Sequence, residues 1–471
     1  MDLFALIPLA VLLILILLRM QLIHAVTGFL LTTLALSIVW RMTTEAIGAA
    51  IIKGAFIAVD LALIVTGALL FMSLLKRAGL LESLSRHITR ISPHISVQTI
   101  AIAWFFGSFI EGVAGFGTPA AIVAPLLVGL GFTALRAITI ALVANSAAVA
   151  FGALGTPITV GLGGANVAAT IGVMNLIAFL VPVFILVLIA SEGRASVRDA
   201  LPFAVISGFA FLIPAMIASR FGPAYPSLVG AGVGLLFVVL IARLGWFMPR
   251  AAHPEKRVQA PTHTAFESVA PYLVLVAVLI LQRFIPAVPV EILGVSHTLP
   301  LTNPGIAFFV ASALLMRRAA PHRADVAAAA TPVLLILMIA TAVQIMIRSA
   351  ENALGLDSMT GSIASLMSGL PIELTAPLLG ALGAFFAGSA TVSNLLFAPV
   401  HLAAGGGIVA LASQTLGAAY ANMLSLQNIV AVQATVGVEG LERRILLSTL
   451  APAALLLALL IVFGPLLASI V

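Results

Sequence analysis

The sequence contains no cysteine, which excludes disulfides, thiolate nucleophiles and thiolate-held metals or clusters. Charge is nearly as scarce. Lys and Arg together number 22 and Asp and Glu 16 among 471 residues, or 8%, where a soluble domain carries about a quarter. The eight histidines never fall at a metal-ligand spacing such as His-x3-His. No metal site and no cofactor is therefore expected. What is present is apolar: 62% of residues are hydrophobic and the mean hydropathy is +1.24. A water-soluble fold cannot cover that much apolar surface, so the chain is expected to be an all-α polytopic membrane protein. At ~20 residues per spanning helix the length accommodates about a dozen spans. The net charge of +6 is then a topology signal rather than a mark of a nucleic-acid partner.

Hydropathy and breakers place twelve spans near 3–19, 22–40, 46–75, 135–160, 168–190, 200–219, 225–243, 268–288, 303–318, 326–348, 411–435 and 446–470. Two further apolar segments, 96–131 and 373–408, have Gly, Pro, Ser and Thr in their middles. Each of their halves runs about 13–16 residues, short of the ~20 that a crossing requires, so both read as re-entrant hairpins. Charge supports this. With the N-terminus outside and both hairpins returning, seventeen cations lie inside, four outside and Lys53 within a span. If the first hairpin crossed, the split would become eight against thirteen, against the positive-inside rule. Both termini are expected outside, with Gly405 outside and Glu255, in the linker, inside.

A repeat runs through the chain. Gly79, Gly107 and Gly112 recur at one offset of 276 as Gly355, Gly383 and Gly388, and Asn145 has a counterpart in Asn422. Seven spans separate the hairpins, so the halves have opposite orientation. The expected division is 1–195 for the first repeat, 196–265 for connecting spans and a cytoplasmic linker, and 266–471 for the second repeat. Inverted repeats with broken helices point to a secondary transporter with a site near the membrane midplane.

Irregular backbone survives at membrane depth only where it is buried in protein or lines a cavity. The first tip reads Glu111-Gly-Val-Ala-Gly-Phe-Gly-Thr-Pro119, and Thr118 is expected to cap the returning half-helix. The second reads Gly388-Ser-Ala-Thr-Val-Ser-Asn394. Gly155-Thr-Pro157 interrupts the fourth span and Asn422-Met-Leu-Ser-Leu-Gln-Asn428 the eleventh. Four helix N-termini could thus converge, each favouring an anion. No cation lies inside these breaks, so hydroxyls and dipoles must neutralise the substrate.

Only two acids lie deep in apolar sequence, Asp60 and Glu111, and both are candidate functional residues. Desolvation disfavours the charged form of a carboxyl, which makes Glu111 the first candidate proton carrier and Asp60 the next. Asp60 also sits two helical turns from Lys53, where snorkelling or a structural pair is an equal explanation. A membrane-embedded enzyme is the remaining class. Its only material is the cluster from His253 to His263, which reads as a solvated linker, so no enzyme is expected.

The run Phe106-Gly-Ser-Phe-Ile-Glu-Gly-Val-Ala-Gly-Phe-Gly-Thr-Pro119, with Leu127 to Phe132 and Asn145 to Gly155, resembles the L-lactate permease family. So do Gly222-Pro-Ala-Tyr-Pro226, Pro271-Tyr-Leu-Val-Leu275 and Gly388 to Phe397. The resemblance runs through most of the chain. It implies a proton-coupled symporter of small 2-hydroxymonocarboxylates (L-lactate, D-lactate and glycolate) in a bacterial inner membrane. Through the wider ion transporter superfamily, it also implies an elevator on inverted repeats. Glu111, Gly115, Gly117, Pro119 and Asn145 match the family in the first half. Gly388, Ser389, Thr391, Ser393, Asn394, Ser425 and Gln427 match in the second. The expected substrate site is Gly115, Gly117, Thr118, Asn145, Thr156, Ser389, Thr391, Ser393, Asn394, Asn422, Ser425 and Gln427. The chain departs from the family pattern at Ala390, Asn422 and Leu426, where an acid, a lysine and a proline are usual. A sodium-coupled or dicarboxylate carrier of the same superfamily remains the alternative, and the oligomeric state, a homodimer included, stays open.

Overall fold

A computed structural model describes residues 2–18, 20–115, 117–249, 260–282, 284–286, 288–298 and 300–471. The chain is mostly helical (76%), as lipid requires, because a helix satisfies its backbone N–H and C=O groups within one segment. Among the described residues, nine helices are long and apolar enough to cross a membrane, or ten if the bent pair Ala134–Asn145 and Val149–Thr159 is one span. Large apolar side chains face outward; Ile38, Leu236 and Val462 are at least 66% exposed. Such a surface belongs against hydrocarbon. The chain is a multi-pass membrane protein.

Eight of the twelve expected spans appear as helices of crossing length: Leu22–Val39, Thr44–Arg77, Ala168–Ala190, Val197–Ser219, Pro226–Leu244, Ala265–Gln282, Ala330–Arg348 and Glu442–Ala468. The expected fourth span is the pair bent by 55°. The first and ninth are short, Ile7–Leu17 and Pro304–Leu315, and the eleventh divides at Ser425 into Ile408–Leu424 and Leu426–Val436. The linker positions 250–259, Glu255 among them, lie outside the described residues.

Three sequence expectations need correction. The ninth helix to reach crossing length is the first arm of the first hairpin, Ile95–Val113, with 19 residues. Its π-helical stretch Ala101–Phe106 continues the helix, so the arm is longer than expected. The helix Thr118–Gly129 that follows packs against the end of this arm. Second, Thr118 is the first helical residue rather than the cap: left-handed Gly117 (φ +78°) precedes it and no side chain caps this helix. Third, the fold is not wholly helical. Strands Pro289–Ile292 and Val295–Thr298 pair antiparallel around a turn at Leu293 and Gly294, both at positive φ.

The segment expected to form the second hairpin is two helices packed on each other, Ile372–Ala387 and Ala390–Ala403, here called its arms. Its first arm packs against Ile408–Ala421 so closely that a Cβ at Gly380 or Gly417 would strike the opposing backbone. Small residues at such crossings let membrane helices approach. The long helix Thr44–Arg77 is held between Ala330–Arg348 and Pro304–Leu315 by the same device at Gly54, Gly67 and Gly305.

Candidate functional site

Both hairpin tips and both broken helices meet in the protein interior. Glu111 stands on the last turn of the first hairpin's inbound arm and is 3% exposed. Its Oε2 accepts from Asn145 Nδ2 at 2.9 Å. Its Oε1 lies against Gly152, where a Cβ would overlap it. Asn145 ends the helix Ala134–Asn145, at the break. Beyond it Ala153, Leu154 and Gly155 take left-handed backbone, at φ +43°, +55° and +81°. That conformation is costly for Ala and Leu, on the order of 1–3 kcal/mol each. It holds because the neighbours leave no other course: a Cβ at Gly155 would enter the Pro223 backbone, and Ala153 packs on Gly115 of the tip. The strained turn frees backbone groups where helix would have consumed them.

The second hairpin approaches from the other half of the chain. Ser389 caps its returning arm, accepting from Val392 N at 3.4 Å. The Thr391 hydroxyl donates to that of Thr156 at 3.2 Å, and Thr156 Oγ1 in turn donates to Gly152 O. Ser425 caps the second half of the eleventh span. Asn428 stands one turn on, its Nδ2 donating to Asn422 Oδ1 at 3.0 Å and to Gly388 O at 3.3 Å. Its Oδ1 faces Gly117 of the first tip. Asn428 therefore touches both tips.

Glu111, Gly115, Gly117, Thr156, Ser389, Thr391 and Asn422, all anticipated from sequence, line one small cavity with Gly152, Ala153, Pro157 and Ala390. Glu111 is the only titratable side chain among the described lining residues, and none is cationic. The volume open to the centre of a water molecule is about 20 Å³, room for roughly one water. Anything larger than a water molecule enters only if the tips part.

The other anticipated residues stand behind this lining. Asn145 supports Glu111. Ser393 Oγ donates to Gly380 O at 2.8 Å. Asn394 Nδ2 donates to Pro157 O and Thr415 Oγ1, both at 2.9 Å, and Gln427 Nε2 to Phe386 O at 3.1 Å. These side chains fasten the second hairpin to its neighbours. Asp60 is elsewhere: its Oδ2 is 3.2 Å from His297 Nε2, and it lines a separate, larger cavity. No ion pair joins it to Lys53 among the described residues. Sequence reasoning missed Gly152 and Asn428. Asn428 was within reach, as a second amide in the break that begins at Asn422.

A family model described as L-lactate permease matches residues 2–296 and 289–471. A putative L-lactate permease of Haemophilus influenzae is 27% identical over 445 residues, covering 83% of this chain and 83% of its own. The L-lactate permease of Escherichia coli strain K12 is 27% identical over 441 residues, covering 81% of this chain and 80% of its own. A glycolate permease of the same strain is 32% identical over 191 residues, 39% of this chain and 34% of its own. The family match spans the chain from residue 2 to residue 471, so this protein belongs to the L-lactate permease family.

Proposed function

We propose that the chain is a proton-coupled symporter of small 2-hydroxymonocarboxylates, lactate and glycolate, in a bacterial inner membrane. The observation that carries this reading is the cavity at the two hairpin tips, which combines one carboxyl with hydroxyls and helix N-termini and has no described cation. An anion there is held by dipoles and neutral donors. The first-turn N–H groups of Ala390 and Thr391 have no carbonyl within their own helix, and they point toward an anion at the N-terminus. The Ser389 hydroxyl, which accepts from Val392 N, keeps its proton for a further bond. The Thr391 hydroxyl donates to Thr156 and that of Thr156 to Gly152 O, so each offers an oxygen that accepts from the substrate's 2-hydroxyl.

Coupling follows from charge. A substrate carboxylate and an ionised Glu111 in one small cavity repel, so the substrate binds best once Glu111 is protonated. The proton in turn is held best when the substrate is present, as linkage requires. In this reading Glu111 carries the proton and Asp60 is the next candidate. The twelve spans and two re-entrant hairpins divide as 1–195, 196–265 and 266–471, and the tip region moves across the membrane as an elevator.

The test is counterflow and gradient-driven uptake of radiolabelled lactate, glycolate and succinate in proteoliposomes. Lactate and glycolate accumulation driven by a pH gradient, with no response to sodium, is expected. Sodium-driven accumulation, or succinate as the preferred substrate, overturns it.

A further inference from the structure

The larger cavity has a volume of about 740 Å³, against about 20 Å³ at the tips. One wall is the long helix, with Lys53, Ile57, Asp60 and Ile64; the strand Val295–Thr298 contributes Ser296, His297 and Thr298. The opposite side is the stretch Thr159–Gly164 with Leu395, Ala398 and Leu402 of the second hairpin's returning arm. The two cavities adjoin. Pro157 lines the small one, Gly161 lines the large one, and Gly161 packs directly on Pro157 and Asn394.

The charges in the large cavity are unequally committed. Asp60 has a donor for each oxygen, His297 Nε2 at 3.2 Å and Asn303 Nδ2 at 3.4 Å. His297 is further held by stacking on Phe56, with centroids 4.4 Å apart. Lys53 has one bond, Nζ to Ser296 O at 3.2 Å, and makes no ion pair among the described residues. An ammonium has three N–H donors, so two remain for a ligand. Among the described residues, Lys53 is also the only Lys or Arg lining this cavity. Asp60 lines the same cavity and offsets Lys53 at a distance, so the ammonium draws a small anion at close range, among apolar walls that concentrate its field. A lysine holds a carboxylate as a point charge, without the bidentate fit of arginine, which suits brief capture rather than tight binding.

We propose that this cavity is a recruitment site for small carboxylate anions, in which Lys53 Nζ holds the carboxylate before it passes Pro157 and Asn394 to the hairpin tips. The proposal rests on the transport reading, and its first test does not depend on transport. In the purified full-length protein, an amine-reactive ester modifies Lys53, followed by mass spectrometry. Acetate and lactate should slow that modification, and the neutral lactamide should not. Protection by lactamide equal to that by lactate, or none by either anion, overturns the site.

The second test is initial-rate lactate uptake in proteoliposomes. Lys53→Gln should raise KM about ten-fold at low ionic strength and far less at high ionic strength, where screening weakens steering. Vmax should stay near that of the unaltered protein, and Lys53→Arg should restore KM. An unchanged KM at low ionic strength, or an equal fall in Vmax at both ionic strengths with a lowered Tm, leaves Lys53 only a strap to Ser296 and overturns the proposal. If the unaltered protein moves no lactate, the transport reading fails, while the protection experiment still decides the site.

Discussion

The hydroxyls of Thr156 and Thr391 meet at 3.2 Å across 235 residues of chain. Thr156 follows the strained turn of the fourth span and Thr391 opens the returning arm of the second hairpin, so this contact joins the two halves at the cavity. Each proton is already committed, Thr391 to Thr156 and Thr156 to Gly152 O, so under the proposed function each oxygen is left to accept from the substrate's 2-hydroxyl. Thr156→Val and Thr391→Val, which keep shape and remove the hydroxyl, should each weaken lactate binding by about 1 kcal/mol, the net worth of a hydrogen bond between neutral groups. Binding isotherms of the two single variants and the double variant measure the coupling between them. A loss of thermal stability as large as the loss of binding would identify them as packing residues instead.

Gly152 explains why the carboxyl of Glu111 can sit where it does. A Cβ at this position would overlap Glu111 Oε1. Gly152→Ala should therefore abolish uptake while the protein still folds and inserts, as judged by gel filtration in detergent. Gly48→Ala is the matched control, since its Cβ would meet nothing within 4 Å, and it should transport normally.

Asn428 touches both tips and supplies the only side-chain amide donor to Gly388 O among the described residues. Asn428→Ala should raise KM and lower Tm, because Asn422 Oδ1 loses its partner. Asn428→Asp retains the shape, removes the donor and adds negative charge beside the cavity. It should impair substrate binding more than the alanine variant does, with a similar Tm. Equal binding by the two variants would mean that no anion lies near this residue.

The apolar helices were readable because lipid imposes one rule on every crossing, and the breaks between helices because Gly115, Gly117 and Gly388 interrupt otherwise apolar runs. The small cavity was readable in its outline: Glu111, Thr156, Ser389, Thr391 and Asn422 carry polar chemistry where lipid would not accept it. Orientation was not. Ser393 and Asn394 look like Thr391 in sequence, yet a few positions along a helix they face Gly380, Pro157 and Thr415 rather than the cavity. Which face a residue occupies depends on the packing of Ile408–Ala421, some twenty residues away in sequence. The pair of strands at 289–298 also escaped notice, because its turn carries Leu293 at φ +49°, a poor turn residue.

Orientation in the membrane is open to direct chemistry, since the native chain has no cysteine. Gly405 itself is unsuitable for substitution because its φ is +77°. Ala404→Cys should react with an impermeant maleimide in intact cells, whereas Ser191→Cys should react only after permeabilisation. Both positions are exposed. The reverse pattern would overturn the topology drawn from charge.

Glu111→Gln tests the central claim most directly. Glutamine mimics the protonated carboxyl in shape and charge, retains an oxygen to accept from Asn145 Nδ2, and cannot release a proton. In proteoliposomes loaded with unlabelled lactate, the variant should exchange labelled lactate across the membrane. Under an imposed pH gradient without internal lactate, it should only equilibrate lactate, where the unaltered protein accumulates it. Accumulation by the variant to the level of the unaltered protein would contradict the account: Glu111 would then be a structural carboxyl, and the coupled proton would travel by another group.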